Sequence, residues 1–266
     1  MEPNIHPTAI VPSGVELGVN VKIGPYAVIE NDVMIGDRTE IGPHVVIGEG
    51  TRIGSGCRLF PGAAVGLIPQ DKKFSDEKTY TFIGDNTLVR EYVTINRGSA
   101  ASGETRVGDD CWIMAYCHIA HDCIIGNRVT ISNNLAMAGH VEIGNNVTIG
   151  GVCSFHQFTR VGDFAFIQAT SYITQDIVPF ALTGADPLRI VDINKVGLER
   201  HGYSEERRRA IRRAYKTVFR EDRTVEDALA CLEREYPGNA DIELLVSFIK
   251  KSSRGLLRMN GSQIGR

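Results

Sequence analysis

The stretch VKIGPYAVIENDVMIGDRTEIGPHVVIGEGTRIGSGCRLF, residues 21–60, carries an aliphatic side chain at every sixth position: Ile23, Ile29, Ile35, Ile41, Ile47, Ile53 and Leu59. Stepping outward by six adds Ile5, Val11 and Leu17 before it and Val65 after it. The beat returns at Ile83, Val89 and Ile95. It then runs from Val107 through Ile113, Ile119, Ile125, Ile131, Met137, Ile143, Ile149, Phe155, Val161 and Ile167 to Ile173. Gly follows the aliphatic residue in many units, as in IGPYAV and IGPHVV, and the position four after it is small or β-branched, from Ala9 and Val15 to Cys57 and Ala63. A helical period of about 3.6 cannot sustain a beat of six over this length, whereas short strands separated by turns can.

This repeat resembles that of left-handed parallel β-helix acyltransferases. There, three hexads make one triangular coil, so roughly 18 residues return the chain to the same corner, one strand spacing (about 4.8 Å) along the axis. The expected fold is an all-β left-handed parallel β-helix over residues 1–185, followed by a C-terminal α-helical domain over residues 186–266. In the β-helix the aliphatic residue points inward, the small residue packs beside it, and Gly relieves strain at corners where φ turns positive. Each coil buries its apolar face only against its neighbours, so the coils stack into one core.

Two polar stretches, residues 67–82 (LIPQDKKFSDEKTYTF) and 97–106 (RGSAASGETR), lack inward aliphatics and are predicted to leave the prism as loops. Loops on a regular scaffold are frequent carriers of function, and equally frequent tolerated insertions. After Ile173 the beat fades through DIVPFALTGADPL and a helical period takes over. Ser204 caps a predicted helix SEERRRAIRRAYKTVFRE with Ile211, Tyr215, Val218 and Phe219 on one face. Thr224 followed by Asp227 marks the start of the next, and ADIELLVSFIKKSS a last one.

Bulk properties suit a soluble globular protein: 266 residues, 42% hydrophobic and 23% charged. The net charge of −3 exerts no global pull toward nucleic acid or anionic membrane. No apolar run approaches the roughly 20 residues that span a bilayer, so no transmembrane segment is expected. The opening MEPNIHPTAIVPSG has neither a basic nor an apolar signal region, and the expected compartment is the cytoplasm, where thiols stay reduced.

CHIAHDC, residues 117–123, has the look of a metal site, a redox pair or a catalytic base beside a carboxylate. The hexad separates these readings. Cys57, Cys111, Cys117, Cys123 and Cys153 all fall on its small inward position, so their spacing is the repeat's own and they are expected in the core. Counting by 18 from His121 leads to Gly139 and Gln157, with His140 and His156 each one residue away and His118 half a hexad upstream. Three histidines from successive coils are therefore expected to converge on one corner. Zinc there would need three ligands in open tetrahedral geometry with nitrogens about 2 Å from the metal, which the spacing leaves possible. A general base needs less: one histidine near its substrate and a carboxylate such as Asp122 to orient it.

IPQDKKF, REYVTINRG, HIAHDC, MAGHV, SFHQF and GLERHGYS together, in this order across nearly the whole chain, resemble the UDP-N-acetylglucosamine O-acyltransferase family. The resemblance implies the first step of lipid A biosynthesis: transfer of a 3-hydroxyacyl chain from acyl carrier protein to the glucosamine 3-hydroxyl of UDP-N-acetylglucosamine, with no cofactor and no metal. It implies His121 as general base, Asp122 as its partner, and the Gly139 N–H as a donor to the developing oxyanion. His118, His140, His156 and Gln157 would position sugar or acyl chain, Asp71 and Lys73 would contact the nucleotide sugar, and Asn194 and Arg200 would lie near the nucleotide and pantetheine. The family is a homotrimer with active sites between subunits, a closed arrangement suited to prisms. Acyl carrier protein is acidic, which gives the basic run Arg207, Arg208, Arg209, Arg212, Arg213 and Lys216 a candidate docking role beside that of a solvated helix face.

Departures from the family pattern refine this. Ala169 stands where the acyl-length ruler sits, with Gln168 beside it, and a small residue there implies a chain of intermediate length. Val196 and His201 stand where members often carry Glu and Arg, and Asn96 where many carry His. A related activity, N-acylation of UDP-2-acetamido-3-amino-glucose, would share the fold and the base. Of another class, a non-catalytic β-helix binding scaffold would need neither the in-register histidines nor the QDKKF loop.

Overall fold

The computed structural model describes residues 2–219 and 223–259. Among these, short strands form sheets of eleven, eight and eight strands, the three faces of a left-handed β-helix prism. The first face runs from Asn4–Ile5 to Arg189–Ile193, the second from Val28–Ile29 to Tyr172–Ile173, and the third from Glu16–Leu17 to Arg160–Val161. Hexad aliphatics stack in register inside the prism, as in the buried ladder Ile23, Ile41, Leu59, Val89, Ile113, Ile131. Each such side chain contributes about 1.5–3 kcal/mol of burial, spread evenly along the axis.

Coils step by 18 residues, as from Val19 to Asp37. Ser55, however, reaches Asp85 across 30 residues, and Asp85 reaches Asp109 across 24. Two hexads therefore leave the prism in the first loop and one in the second. Whole hexads are inserted, which is why the beat resumes in phase at Ile83 and Val107. The loops are also shorter than expected. Ala64–Leu67, Tyr80–Ile83 and Glu104–Val107 are strands, leaving residues 68–79 and 97–103 outside the faces. Thr81 and Thr105 stack on Thr51 at the small inward position, fully buried, and their polar side chains hid these strand ends from the hydrophobic pattern.

The glycine expectation needs correction. Positive φ falls mostly on non-glycine corner residues, among them Tyr92, Asp122, His140 and Phe158. The Gly after each aliphatic residue answers a different demand: a Cβ at Gly36 would lie 2.6 Å from the Gly54 carbonyl carbon one coil on. Stacked coils approach too closely there for any side chain.

Beyond Ile173 the last turn is two residues short, since the Arg160 N–H reaches the Asp176 side chain 16 positions on. The shortening breaks the beat, yet Ala181–Gly184 still extends the first face and Arg189–Ile193 closes it antiparallel. Among the described residues four helices follow: α1 (Lys195–Arg200), α2 (Glu205–Phe219), α3 (Val225–Glu235) and α4 (Ala240–Lys250). Ser204 caps α2 by accepting from the Arg207 N–H, and Thr224 caps α3 by accepting from the Asp227 N–H. The expected run of α2 through Arg220 and Glu221 lies outside the described residues. Ile211, Tyr215, Val218 and Phe219 are buried, and the Tyr215 hydroxyl donates to the Pro179 carbonyl, docking α2 on the end of the prism. Among the described residues no helix is long and apolar enough to cross a membrane.

Candidate active site

His121 and Asp122 form the corner between strands His118–Ile119 of the second face and Ile124–Ile125 of the third. Asp122 takes a φ of 60° and its carboxylate is buried. His121 Nδ1 lies 2.6 Å from Asp122 Oδ2. The second loop folds over the same carboxylate: the Ser99 N–H donates to Oδ1 at 2.9 Å, the Ser99 hydroxyl to Oδ2 at 2.6 Å, and the Ser102 hydroxyl to Oδ1. Burial pushes the Asp122 carboxyl up, but hydrogen bonds from His121, Ser102 and Ser99 outweigh it and bring it down to about 2. An ionised Asp122 is an acceptor only, so it holds the proton of a neutral His121 on Nδ1 and leaves Nε2 as a lone-pair base.

One coil on, Gly139 lies against the His121 ring; a Cβ there would stand 2.7 Å from Cε1 and 2.9 Å from Nε2. Among the described residues the Gly139 N–H donates no hydrogen bond. His140 Nε2 approaches Asp122 Oδ2 to 3.6 Å, and its ring stands edge-on to His121 with centroids 5.3 Å apart. The strand register stacks Asp122, His140 and then Phe158, whose ring lies parallel to His140 at 4.5 Å. Phe158, rather than His156, is therefore the third rung. His156 stays on the same edge but turns Nδ1 toward the Gln157 carbonyl at 3.1 Å, and Gln157 is exposed. His118 lies on the second face, its Nδ1 2.7 Å from Thr94 Oγ1. Burial, and then the neighbouring His121, lower its pKa, so it is neutral at pH 7.

The first loop hangs from the second. Asn96 Nδ2 donates to the Ile68 carbonyl, the Ala100 N–H to Glu77 Oε1, and the Arg97 guanidinium lies over the Phe74 ring. In that loop Asp71 Oδ1 accepts from the Lys73 N–H at 3.0 Å, and the Lys73 side chain is exposed. Asn96 is buried and serves as the loop's anchor.

The remaining expected site residues lie on the other two edges of the prism. Gln168 and Ala169 follow strand Phe166–Ile167 at the edge between first and second faces, where the Gln168 N–H donates to Thr183. Asn194 sits by the edge between third and first faces: its Oδ1 caps α1 at the Gly197 N–H and its Nδ2 donates to the Phe164 carbonyl. His201 accompanies it, edge-on to Phe164, while Arg200 and Val196 are exposed. One chain brings together His121, Asp122, Gly139 and His140 but keeps them apart from Ala169 and Arg200.

The cysteines are core. Cys57, Cys111, Cys117, Cys123 and Cys153 are buried and reduced, and burial pushes the Cys123 thiol up to about 12 and the Cys57 thiol to about 11, disfavouring the reactive thiolate. His121, Asp122 and His140 offer ligand atoms within 4.8 Å of one another, the one such group among the described residues. Their donor set fits a metal poorly, because Ser99, Ser102 and His121 already occupy both carboxylate oxygens. Ser99, Ser102, Thr94 and Phe158 escaped the sequence reading. Only Thr94 and Phe158 left a signal, through their hexad register with His118 and His140.

A prism of stacked hexads with a histidine–aspartate pair on one edge defines a hexapeptide-repeat transferase. Residues 26–61 and 104–136 match the family described as bacterial transferase hexapeptide (six repeats), and residues 176–257 match that described as UDP N-acetylglucosamine O-acyltransferase, domain 2. An acyl-[acyl-carrier-protein]–UDP-N-acetylglucosamine O-acyltransferase of Paracidovorax citrulli is 52% identical over 96% of this chain and 99% of its own, and one of Halorhodospira halophila is 46% identical with the same coverage. The structure superposes on a UDP-N-acetylglucosamine acyltransferase of Bacteroides fragilis with a TM-score of 0.92 at 41% identity, covering 95% of this chain and 99% of that one. For the Francisella novicida enzyme the TM-score is 0.93 at 34% identity, over 96% and 94% of the two chains. The chain belongs to the UDP-N-acetylglucosamine O-acyltransferase family and is an acyltransferase.

Proposed function

We propose that this enzyme transfers a 3-hydroxyacyl chain from acyl carrier protein to the glucosamine 3-hydroxyl of UDP-N-acetylglucosamine, with His121 as general base. The observation that carries the mechanism is the 2.6 Å contact of His121 Nδ1 with the buried Asp122, which leaves Nε2 to take the proton. The sugar oxygen attacks the thioester carbonyl carbon, and the charge that develops on the carbonyl oxygen is met by the Gly139 N–H. Collapse breaks the carbon–sulfur bond, and the His121 imidazolium returns the proton to the departing pantetheine thiolate. The protonated His121 intermediate is stabilised by the Asp122 charge beneath it.

The active unit is a cytoplasmic homotrimer in this reading. Support comes from the split of the expected site residues over three edges, since Arg200 and Ala169 reach the His121 edge only from a neighbouring copy. The exposed Phe158 beside His140 adds an apolar surface for that neighbour. The helical part, residues 186–266, would receive the carrier protein. On α2, Arg207, Arg208, Arg209 and Arg212 are paired with Asp241, Glu199, Glu205 and Asp192. Arg213 and Lys216 have no such pairing among the described residues and remain for an acidic partner.

The test is an assay with a panel of acyl carrier protein thioesters and either UDP-N-acetylglucosamine or its 3-amino analogue, repeated with His121→Ala. The expected result is ester formation at the 3-position and a loss of about 10³-fold or more in the variant. Undiminished turnover by His121→Ala would sink the general-base role, and exclusive amide formation would replace the acceptor.

A further inference from the structure

The second loop has no place in the mechanism above, yet its residues make three of the four hydrogen bonds on the Asp122 side chain. Each carboxylate oxygen receives two donors: Oδ1 from the Ser99 N–H and the Ser102 hydroxyl, Oδ2 from the Ser99 hydroxyl and His121. These fill the lone-pair positions a carboxylate offers in its plane. The backbone adds a fifth tie, since the Asp122 N–H donates to Thr105 Oγ1 at 2.8 Å. The Ser99 hydroxyl is itself oriented, because it accepts from the Ala101 N–H at 3.2 Å while donating to Asp122. Ser102 has a choice of acceptors, the Asp122 carboxylate or the Glu104 carbonyl at 2.9 Å, and its single proton favours the charged one.

We propose that Ser99 and Ser102 are positioning residues for the transfer reaction, holding the Asp122 carboxylate in the one orientation that presents Oδ2 to His121 Nδ1. The inference rests on His121 being the base. Without the serine donors the buried carboxylate would be free to turn, and the Nδ1–H would lose its fixed acceptor. The neutral ring could then place its proton on Nε2, the atom that must be bare to accept one from the sugar. The same loop carries the Ala100 N–H that binds Glu77 of the first loop, so the orientation of Asp122 and the seating of the first loop are set by one segment.

The sign of the pH effect follows from charge. The donors stabilise the unprotonated pair, net charge −1, more than the pair that has gained a proton, so removing them makes protonation easier. The other titratable groups facing Asp122 are His140 at 3.6 Å and the Cys123 thiol; Glu104 at the end of the same loop is paired with Arg106, and Glu77 accepts from the Ala100 N–H. The serine variants leave the ionisable side chains of these residues in place.

The test compares Ser99→Ala, Ser102→Ala and Ser99→Thr in the full-length enzyme. Ser99→Ala should lower kcat about tenfold to a hundredfold with a much smaller change in KM, and move the acidic limb of kcat/KM up by about one pH unit. Ser102→Ala, at an exposed position, should shift the limb the same way by less, and it carries the test should Ser99→Ala fail to fold. Ser99→Thr, which keeps the hydroxyl, should restore both kcat and the limb. Nitrogen NMR of the His121 ring without substrate should find the proton on Nδ1 in the parent and a mixture of tautomers in Ser99→Ala. An unmoved limb in both alanine variants, a loss confined to KM, or an unchanged tautomer would overturn the proposal. His121→Ala, assayed alongside, separates the two readings. Should it keep activity, the base assignment itself fails; should it lose activity while the serine variants match the parent, only the role of the loop falls.

Discussion

Gly139 and His121 pack so closely that a β-carbon on Gly139 would stand 2.7 Å from His121 Cε1, well inside van der Waals contact. Gly139→Ala keeps the backbone N–H but must push the imidazole aside. A displacement of about 1 Å at a reacting group costs on the order of 10²-fold in rate. The variant is expected to fold and bind nucleotide sugar normally while kcat falls by about that factor. Near-parental kcat would show that the ring does not need this seat.

Asp122 links activity to acid stability. Its carboxyl ionises at about 2 in the folded chain against an ordinary 3.8. Because the folded value is the lower one, the ionised group stabilises the fold fully above about pH 4 and loses that contribution as pH falls through about 2, some 2 kcal/mol in all. Denaturant unfolding over this range should show the parent losing about 2 kcal/mol more than Asp122→Asn. Parallel curves would mean that the carboxylate is not held as its contacts indicate.

If the proposed trimer builds each site between copies, His121 of one copy works with Arg200 of the next. His121→Ala and Arg200→Ala should each be inactive alone, yet unfolding and refolding their equimolar mixture should restore about a quarter of the sites, those with His121 from one copy and Arg200 from the next. The molar mass by light scattering should be three times 29.2 kDa. No recovery on mixing would place a complete site within one chain.

The expected place of Ala169 on the acyl path can be tested through the product. Its backbone N lies 2.4 Å from where a Cβ on Gly150 would stand, so the coil beneath cannot yield. Ala169→Met should shift the preferred acyl chain shorter and Ala169→Gly longer, read by mass spectrometry of the acylated sugar from a mixed thioester pool. An identical product distribution in all three would remove Ala169 from the acyl path.

How far the hexad reaches explains what was legible. Ile119, Cys117 and Cys123 could be oriented from sequence because a strict period of six repeats the same local geometry, and the inward faces of successive coils must match to exclude water. The starts of α2 and α3 were legible at Ser204 and Thr224 because a cap is a contact within three residues. Thr81 and Thr105 were lost because a buried threonine satisfies the small inward position without looking apolar. His156 was expected on the edge it occupies, but the ring that stacks on His140 is Phe158, because the register partner of His140 is Asp122 and a count from His121 passes over it.

The sequence by itself determined the prism, the depth of its cysteines and the edge on which His121 and Asp122 stand, because all of these follow from a short-range period. Only the tertiary structure decided which side chains close over Asp122 and which expected site residues stand on other edges. Ser99 and Ser102 lie in an aperiodic loop, and the place of such a loop is set by the carboxylate that its donors find rather than by a pattern in its own residues.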